Sequence, residues 1–239
     1  MPRFYCSISL SNGARIVLPE SVVQHVQVLR LKEGDAITLF NGDGGEYTAT
    51  LSSMEKKRMT ALVASHVERD LEWPYAVTLA QALPEGSKMD WIVEKATELG
   101  AAVLQPLASQ RAVVKLSGER MEKRLSHWQA IVASSSEQCG RNRLMEVAPV
   151  MDFMRWVGTP SEQPRILFSP RATQSFTDWA RTQQAQAVTL IIGPEGGLSE
   201  EEEAFAVAKG AILLSLGERV LRTETAGMAA LAMLGALWA

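Results

Sequence analysis

The rhythm of apolar and polar positions changes near residue 70. Before that point the apolar residues alternate in short runs. Arg15–Leu18, Ala36–Phe40, Glu46–Ser52 and Met59–Val67 read as strands, with a short helix over Pro19–Leu29. Between two of these runs lies Asn41-Gly42-Asp43-Gly44-Gly45, a composition that bends a hairpin. Short strands at this spacing predict a small β-barrel over residues 1–70.

Past the linker Glu68–Pro74, single strands alternate with helices. Tyr75–Leu83 reads as a buried strand that ends at Pro84-Glu85-Gly86. A helix follows from Ser87, with Asp90 in capping-box position and Met89, Ile92, Val93, Ala96 and Leu99 along one face, before Gly100 stops it. Val103–Pro106 is the next strand. Glu119–Gln138 is a long amphipathic helix with Met121, Leu125, Trp128 and Val132 along one side. Arg165–Phe168 and Val188–Ile192 are strands separated by a helix over Phe176–Gln183. Residues 74–239 are therefore expected to form an α/β domain on a mainly parallel sheet.

Two loops near the C-terminus carry the strongest chemical signal. Leu190–Ser199 contains Gly193-Pro194-Glu195-Gly196-Gly197, and Leu214–Ala226 contains Gly217-Glu218-Arg219-Val220-Leu221-Arg222-Thr223-Glu224. Each is a buried strand, a glycine bend and a helix start, so both should lie at the carboxyl edge of the sheet, where open α/β sheets place ligands. Neither has the glycine spacing of a dinucleotide or phosphate loop. Ser199 with Glu202 forms a capping box, and the acidic run Glu200–Glu203 disfavours phosphate at that helix start. Thr223 is expected to cap the last helix. That helix is apolar nearly all round, so it is either an ordinary core helix or one with a side on the sheet and the other, with Leu231, on a partner subunit.

Charge and cysteine content refine this picture. The net charge of −3 gives no sign of a nucleic-acid partner. Within 105–145, however, seven basic residues (Arg111, Lys115, Arg120, Lys123, Arg124, Arg141, Arg143) face three acidic ones, as phosphate contact would require. Arg30, Lys32 and Lys56-Lys57-Arg58 could extend that surface onto the barrel. Cys6 and Cys139 form no CxxC pair, and His25, His66 and His127 share no metal spacing, so no metal site is expected. Without a signal segment or an apolar run long enough to span a bilayer, the expectation is a soluble cytoplasmic protein with no membrane partner.

Taken together, these residues resemble the RsmE family of small-subunit ribosomal RNA methyltransferases, within the SPOUT superfamily of knotted methyltransferases. The resemblance rests on His25, Val28-Leu29-Arg30-Leu31-Lys32 and Gly34-Asp35 in the first part. Lys88, Asp90-Trp91, Val93–Gly100, Arg111, Val113-Val114-Lys115, Glu137–Arg141 and the two glycine loops follow in family order. Gln110, Ala112, Ser134-Ser135 and Met145 depart from the common pattern outside those loops.

The resemblance implies a PUA-like β-barrel that binds RNA, followed by a trefoil-knot α/β methyltransferase domain that dimerises with a second copy. It implies S-adenosylmethionine as cofactor, held against Gly193, Gly196, Gly197, Leu216, Gly217, Leu221, Arg222 and Thr223. The implied substrate is N3 of one uridine in the decoding region of 16S ribosomal RNA, free or in the small subunit. RNA contact would fall to Arg30, Lys32, Arg111, Lys115, Arg141 and Arg143. Deprotonating N3 requires a base or electrostatic help, for which Glu195 and Arg222 are the candidates. Two other readings stay open: an RNA-binding assembly factor without catalysis, and a SPOUT methyltransferase acting on a ribose 2′-oxygen or a guanine nitrogen.

Overall fold

A computed structural model describes residues 1–55, 58–112 and 118–238 of the 239-residue chain. The chain forms two compact units, Met1–Glu72 with Ala133–Leu144, and Trp73–Val132 with Met145–Ala239.

The first unit contains β1 (Arg3–Tyr5), β2 (Arg15–Val17), α1 (Glu20–Val28), β3 (Ala36–Phe40), β4 (Glu46–Met54) and β5 (Met59–Val67). Its mixed sheet runs β1-β3-β4-β5-β2, and wraps one apolar cluster fed by all five strands and by Val22, Val23 and Val26 of α1. The strand path stays open between β1 and β2 among the described residues, which makes it a PUA-like partial barrel. β1 is too short to show alternation in the sequence; Phe4 is its only buried side chain. The helix α1 ends in a Schellman closure, with Arg30 N–H on the Gln27 carbonyl and Leu31 N–H on that of Val26.

The second unit contains β6 (Val77–Ala82), α2 (Lys88–Glu98), β7 (Val103–Ala108), α3 (Glu119–Cys139), β8 (Glu146–Val147), β9 (Met151–Asp152), α4 (Phe153–Gly158), β10 (Arg165–Phe168), α5 (Phe176–Thr182), β11 (Val188–Ile192), α6 (Glu200–Ala208), β12 (Ile212–Leu214) and α7 (Thr223–Trp238). Helix α3 runs on into residues that belong to the first unit. The sheet is parallel throughout, in the order β12-β10-β11-β6-β7-β8, with β9 also on β7. A strand flanked on both sides and covered on both faces is mostly apolar, and β11 is buried at all five positions, Thr189 among them.

Three expectations are corrected here. Ser87 precedes α2, but its hydroxyl makes no capping bond. Asp90 instead accepts from Trp128 Nε1 (3.2 Å) and approaches His127 Nε2 (2.9 Å), joining α2 to α3. Thr223 opens α7 with its hydroxyl directed elsewhere, as described below. Leu231 is fully buried inside its own unit, while the exposed side of α7 carries Thr225, Ala232 and Ala236.

The close fit of α7 explains its composition. A Cβ at Gly227 would lie 3.1 Å from Leu79 Cδ1, and one at Gly235 3.0 Å from Trp73 Cζ2. Trp73, Tyr75, Trp179 and Trp238 pack into one aromatic group, and Trp238 Nε1 donates to the Ala180 carbonyl at 2.9 Å. Glycine at the contact and tryptophan at the rim let this helix lie directly on the sheet.

Candidate active site

The carboxyl ends of β10, β11 and β12 open into one cavity of about 690 Å³ within the second unit. That is the size of a site for a small organic ligand. Because β10 lies between β11 and β12, the two glycine loops flank a third loop. The sequence reading overlooked this loop, Ser169-Pro170-Arg171, whose only signal was a Ser-Pro turn directly after a strand. All eight residues expected to hold the cofactor line the cavity, together with Lys88, Arg111, Phe168 and Glu224.

Backbone constraints build the first loop. Gly197 has φ +66°, and a Cβ on Gly193 would stand 3.1 Å from the Leu198 nitrogen, so a side chain at either position would strain the bend. The bend closes with Gly197 N–H on the Pro194 carbonyl. Behind it the Ser199–Glu202 capping box forms as expected, and Glu202 also accepts the Gln110 N–H at 2.7 Å. Thr223 fastens the two glycine loops together. Its hydroxyl donates to the Gly193 carbonyl at 2.6 Å and accepts from Gln81 Nε2 at 2.9 Å. In the second loop Gly217 sits at φ +119°, and its N–H donates to Ser215 Oγ at 3.1 Å.

The ionic groups divide into engaged and open. Glu195 accepts from Lys88 Nζ at 2.5 Å and from the Glu85 N–H at 3.0 Å. Burial acts to raise its pKa, but the Lys88 bond and the backbone N–H groups outweigh it and hold the carboxyl below its usual range. The same pair raises the Lys88 ammonium above its ordinary value, chiefly through that hydrogen bond. A carboxylate so held is engaged as a loop anchor, with Lys88 and the Glu85 N–H occupying its acceptor positions. Glu203 is engaged by Arg171 Nη2 at 2.6 Å. Arg222 is exposed in the cavity lining, with no side-chain partner among the described residues; its carbonyl accepts the Thr225 and Ala226 N–H groups that start α7. The side chain of Glu224 makes no hydrogen bond or ion pair there, and its Oε2 is buried.

The residues expected on RNA have different fates. Arg111 Nη1 donates to the Gly196 carbonyl at 2.9 Å, so this side chain supports the first glycine loop. Arg141 is 4% exposed, and its Nε and Nη2 fork onto Glu72 at 2.9 and 2.5 Å. A guanidinium buried on a carboxylate cannot reach a phosphate, so Arg141 is corrected to a structural residue of the first unit. Arg143 is half-exposed on Asp70 at 3.1 Å. Arg30 and Lys32 are exposed, with no ion pair among the described residues, and Arg30 holds φ +56°, a conformation costing a non-glycine residue roughly 1 kcal/mol. Lys115, Lys56 and Lys57 lie outside the described residues. Among the described residues no cluster of three or more His, Cys, Asp or Glu could hold a metal, and no helix is long and apolar enough to cross a membrane.

Comparison with known proteins fits this geometry. Residues 71–235 match the family model of an RNA methyltransferase domain, and residues 18–63 that of an RNA methyltransferase PUA domain. Ribosomal RNA small subunit methyltransferase E of Bacillus subtilis is 31% identical, over 89% of this chain and 86% of its own. The chain belongs to the ribosomal RNA small subunit methyltransferase E family. The Synechocystis member is 34% identical over 94% of this chain and 74% of its own. Among solved structures, the methyltransferase E of Neisseria gonorrhoeae bound to S-adenosyl methionine superposes with TM-score 0.92 at 38% identity, covering 100% and 98% of the two chains. A putative methyltransferase from Legionella pneumophila, also with S-adenosyl methionine, gives 0.93 at 37% identity, covering 98% and 97%.

Proposed function

We propose that this protein methylates N3 of a single uridine in the decoding region of 16S ribosomal RNA, with S-adenosylmethionine as the methyl donor. The observation that carries the reading is the cavity itself, whose lining includes all eight expected cofactor residues. The pocket fits such a cofactor. Gly193, Gly196 and Gly197 leave backbone free for close approach, and Leu216, Leu221 and Phe168 supply apolar surface for a nucleoside.

When bound, S-adenosylmethionine supplies an electrophilic methyl group, whose bond to the sulfonium breaks, leaving its electron pair on sulfur, as the N3–methyl bond forms. The protein needs no covalent nucleophile; its task is to align the uracil and to manage the N3 proton. The exposed guanidinium of Arg222 stabilises negative charge on the uracil carbonyl oxygens as that proton leaves. Residues 74–239 carry this chemistry. Residues 1–70, through Arg30 and Lys32, dock the RNA, with Lys115 and Arg143 contributing contacts. The reading includes the trefoil knot around the cofactor loops, a cytoplasmic location and a homodimer, for which the small residues on the open side of α7 give a face of close approach.

Two measurements test the proposal. Calorimetry with the purified protein should show S-adenosylmethionine binding, and 3-methyluridine should disappear from small-subunit RNA when the gene is deleted. Binding without that loss would redirect the reading to another RNA position. No binding at millimolar cofactor would leave an assembly factor.

A further inference from the structure

With Glu195 engaged, the group that takes the N3 proton has to be sought elsewhere in the cavity. We infer that the Glu224 carboxylate is the proton acceptor, an assignment that rests on the function proposed above. Of the three carboxylates discussed at the cavity wall, Glu195 is held by Lys88 and Glu203 by Arg171. Glu224 Oε2 is buried and has no hydrogen-bond partner. A buried carboxylate oxygen without a donor is costly, and buried acceptors are nearly always satisfied. Glu224 lines the cavity, and the uracil imide carries an N–H, the kind of donor this carboxylate lacks.

The surrounding turn supports the role. Thr223, the preceding residue, is bonded to both Gly193 and Gln81, which fixes the start of α7. Arg222 and Glu224 both line the cavity. Lys88 feels the charge of Glu224, but its hydrogen bond goes to Glu195. In the proposed step the N3 proton moves to a Glu224 oxygen, and the N–H bonding pair remains on N3 as the nucleophilic lone pair. The carboxyl later releases that proton to solvent.

Glu224→Gln keeps the shape and removes the base. In a transfer assay on small-subunit RNA it should lower turnover by about 10²–10³-fold at neutral pH, with Tm and cofactor affinity by calorimetry unchanged. Loss of a base can be bypassed by an imide that ionises on its own. The deficit should therefore shrink by about tenfold per pH unit in alkali, and again on RNA transcribed with 5-fluorouridine, whose N3–H is more acidic. Glu224→Asp should retain part of the activity.

A Gln variant as active as wild type would overturn the assignment. So would a deficit equal at every pH and on both RNAs, or one traced to lost cofactor affinity or folding. Wild-type protein that forms no 3-methyluridine would overturn the proposed function instead, which separates the two failures.

Discussion

The glycine loops at residues 193–226 and the basic stretch at 105–145 both stood out in the sequence, and the structure treats them differently. Every loop residue expected at the cofactor lines one cavity. The basic stretch disperses: Arg111 supports a loop, Lys123 pairs with Glu119 at 2.6 Å, Arg141 is buried on Glu72 and Arg143 faces Asp70. A glycine bend after an apolar strand is a local instruction, because the backbone angle and the strand end are set by neighbouring residues. A charge finds its partner through tertiary structure, and nothing near Arg141 in sequence announces Glu72.

The largest effect that separates the two regions is expected at Arg141. If its role is structural, Arg141→Met should cost about 3–5 kcal/mol by leaving Glu72 without its partner. Urea unfolding at neutral pH would read this as a lower midpoint with an unchanged slope. RNA affinity of the folded fraction should stay near wild type. A variant of wild-type stability with weakened RNA binding would return Arg141 to the RNA surface and break the comparison.

At Arg222 the expectation is inverted. Arg222→Ala should lower turnover by about 10²–10³-fold while the unfolding midpoint holds, because the guanidinium is exposed and makes no ion pair among the described residues. Wild-type turnover in that variant would remove its electrostatic role.

Legibility followed the same division. The strands Ala36–Phe40, Met59–Val67, Arg165–Phe168 and Val188–Ile192 have the limits their apolar runs predict, since each run is bounded by turn residues. The strands β1, β8 and β9 have two or three residues, too few for any periodicity. Helix α4 is a six-residue turn capped by Asp152, below the length at which a helical stripe stands out. The third cavity loop was missed because strand order does not appear in sequence, and β10 is inserted between β11 and β12 only by a crossover. Leu231 was misjudged for a related reason: an apolar helix announces burial, but not which surface covers it.

The smallest effect sharpens the comparison from within the loop region, where one ion pair was also hidden from sequence reading. Glu195 and Lys88 are 107 positions apart, and both are about one-third exposed. The pair lowers the Glu195 pKa in the folded state, so its contribution is fully present above the ordinary carboxylate range. That contribution is lost as pH falls through the depressed folded value, where the carboxyl takes up a proton. Lys88→Met removes the donor, so the variant should unfold a few degrees below wild type at neutral pH, and the two curves should converge on acidification. Because the groups are accessible to water and salt, raising ionic strength should narrow the neutral-pH gap as well. A gap that persists unchanged into acid would mean that Lys88 supports the first loop by packing, with its charge making no difference to Glu195. In that case Glu195 would again be available as a base, and the assignment of the N3 proton to Glu224 would lose its starting point.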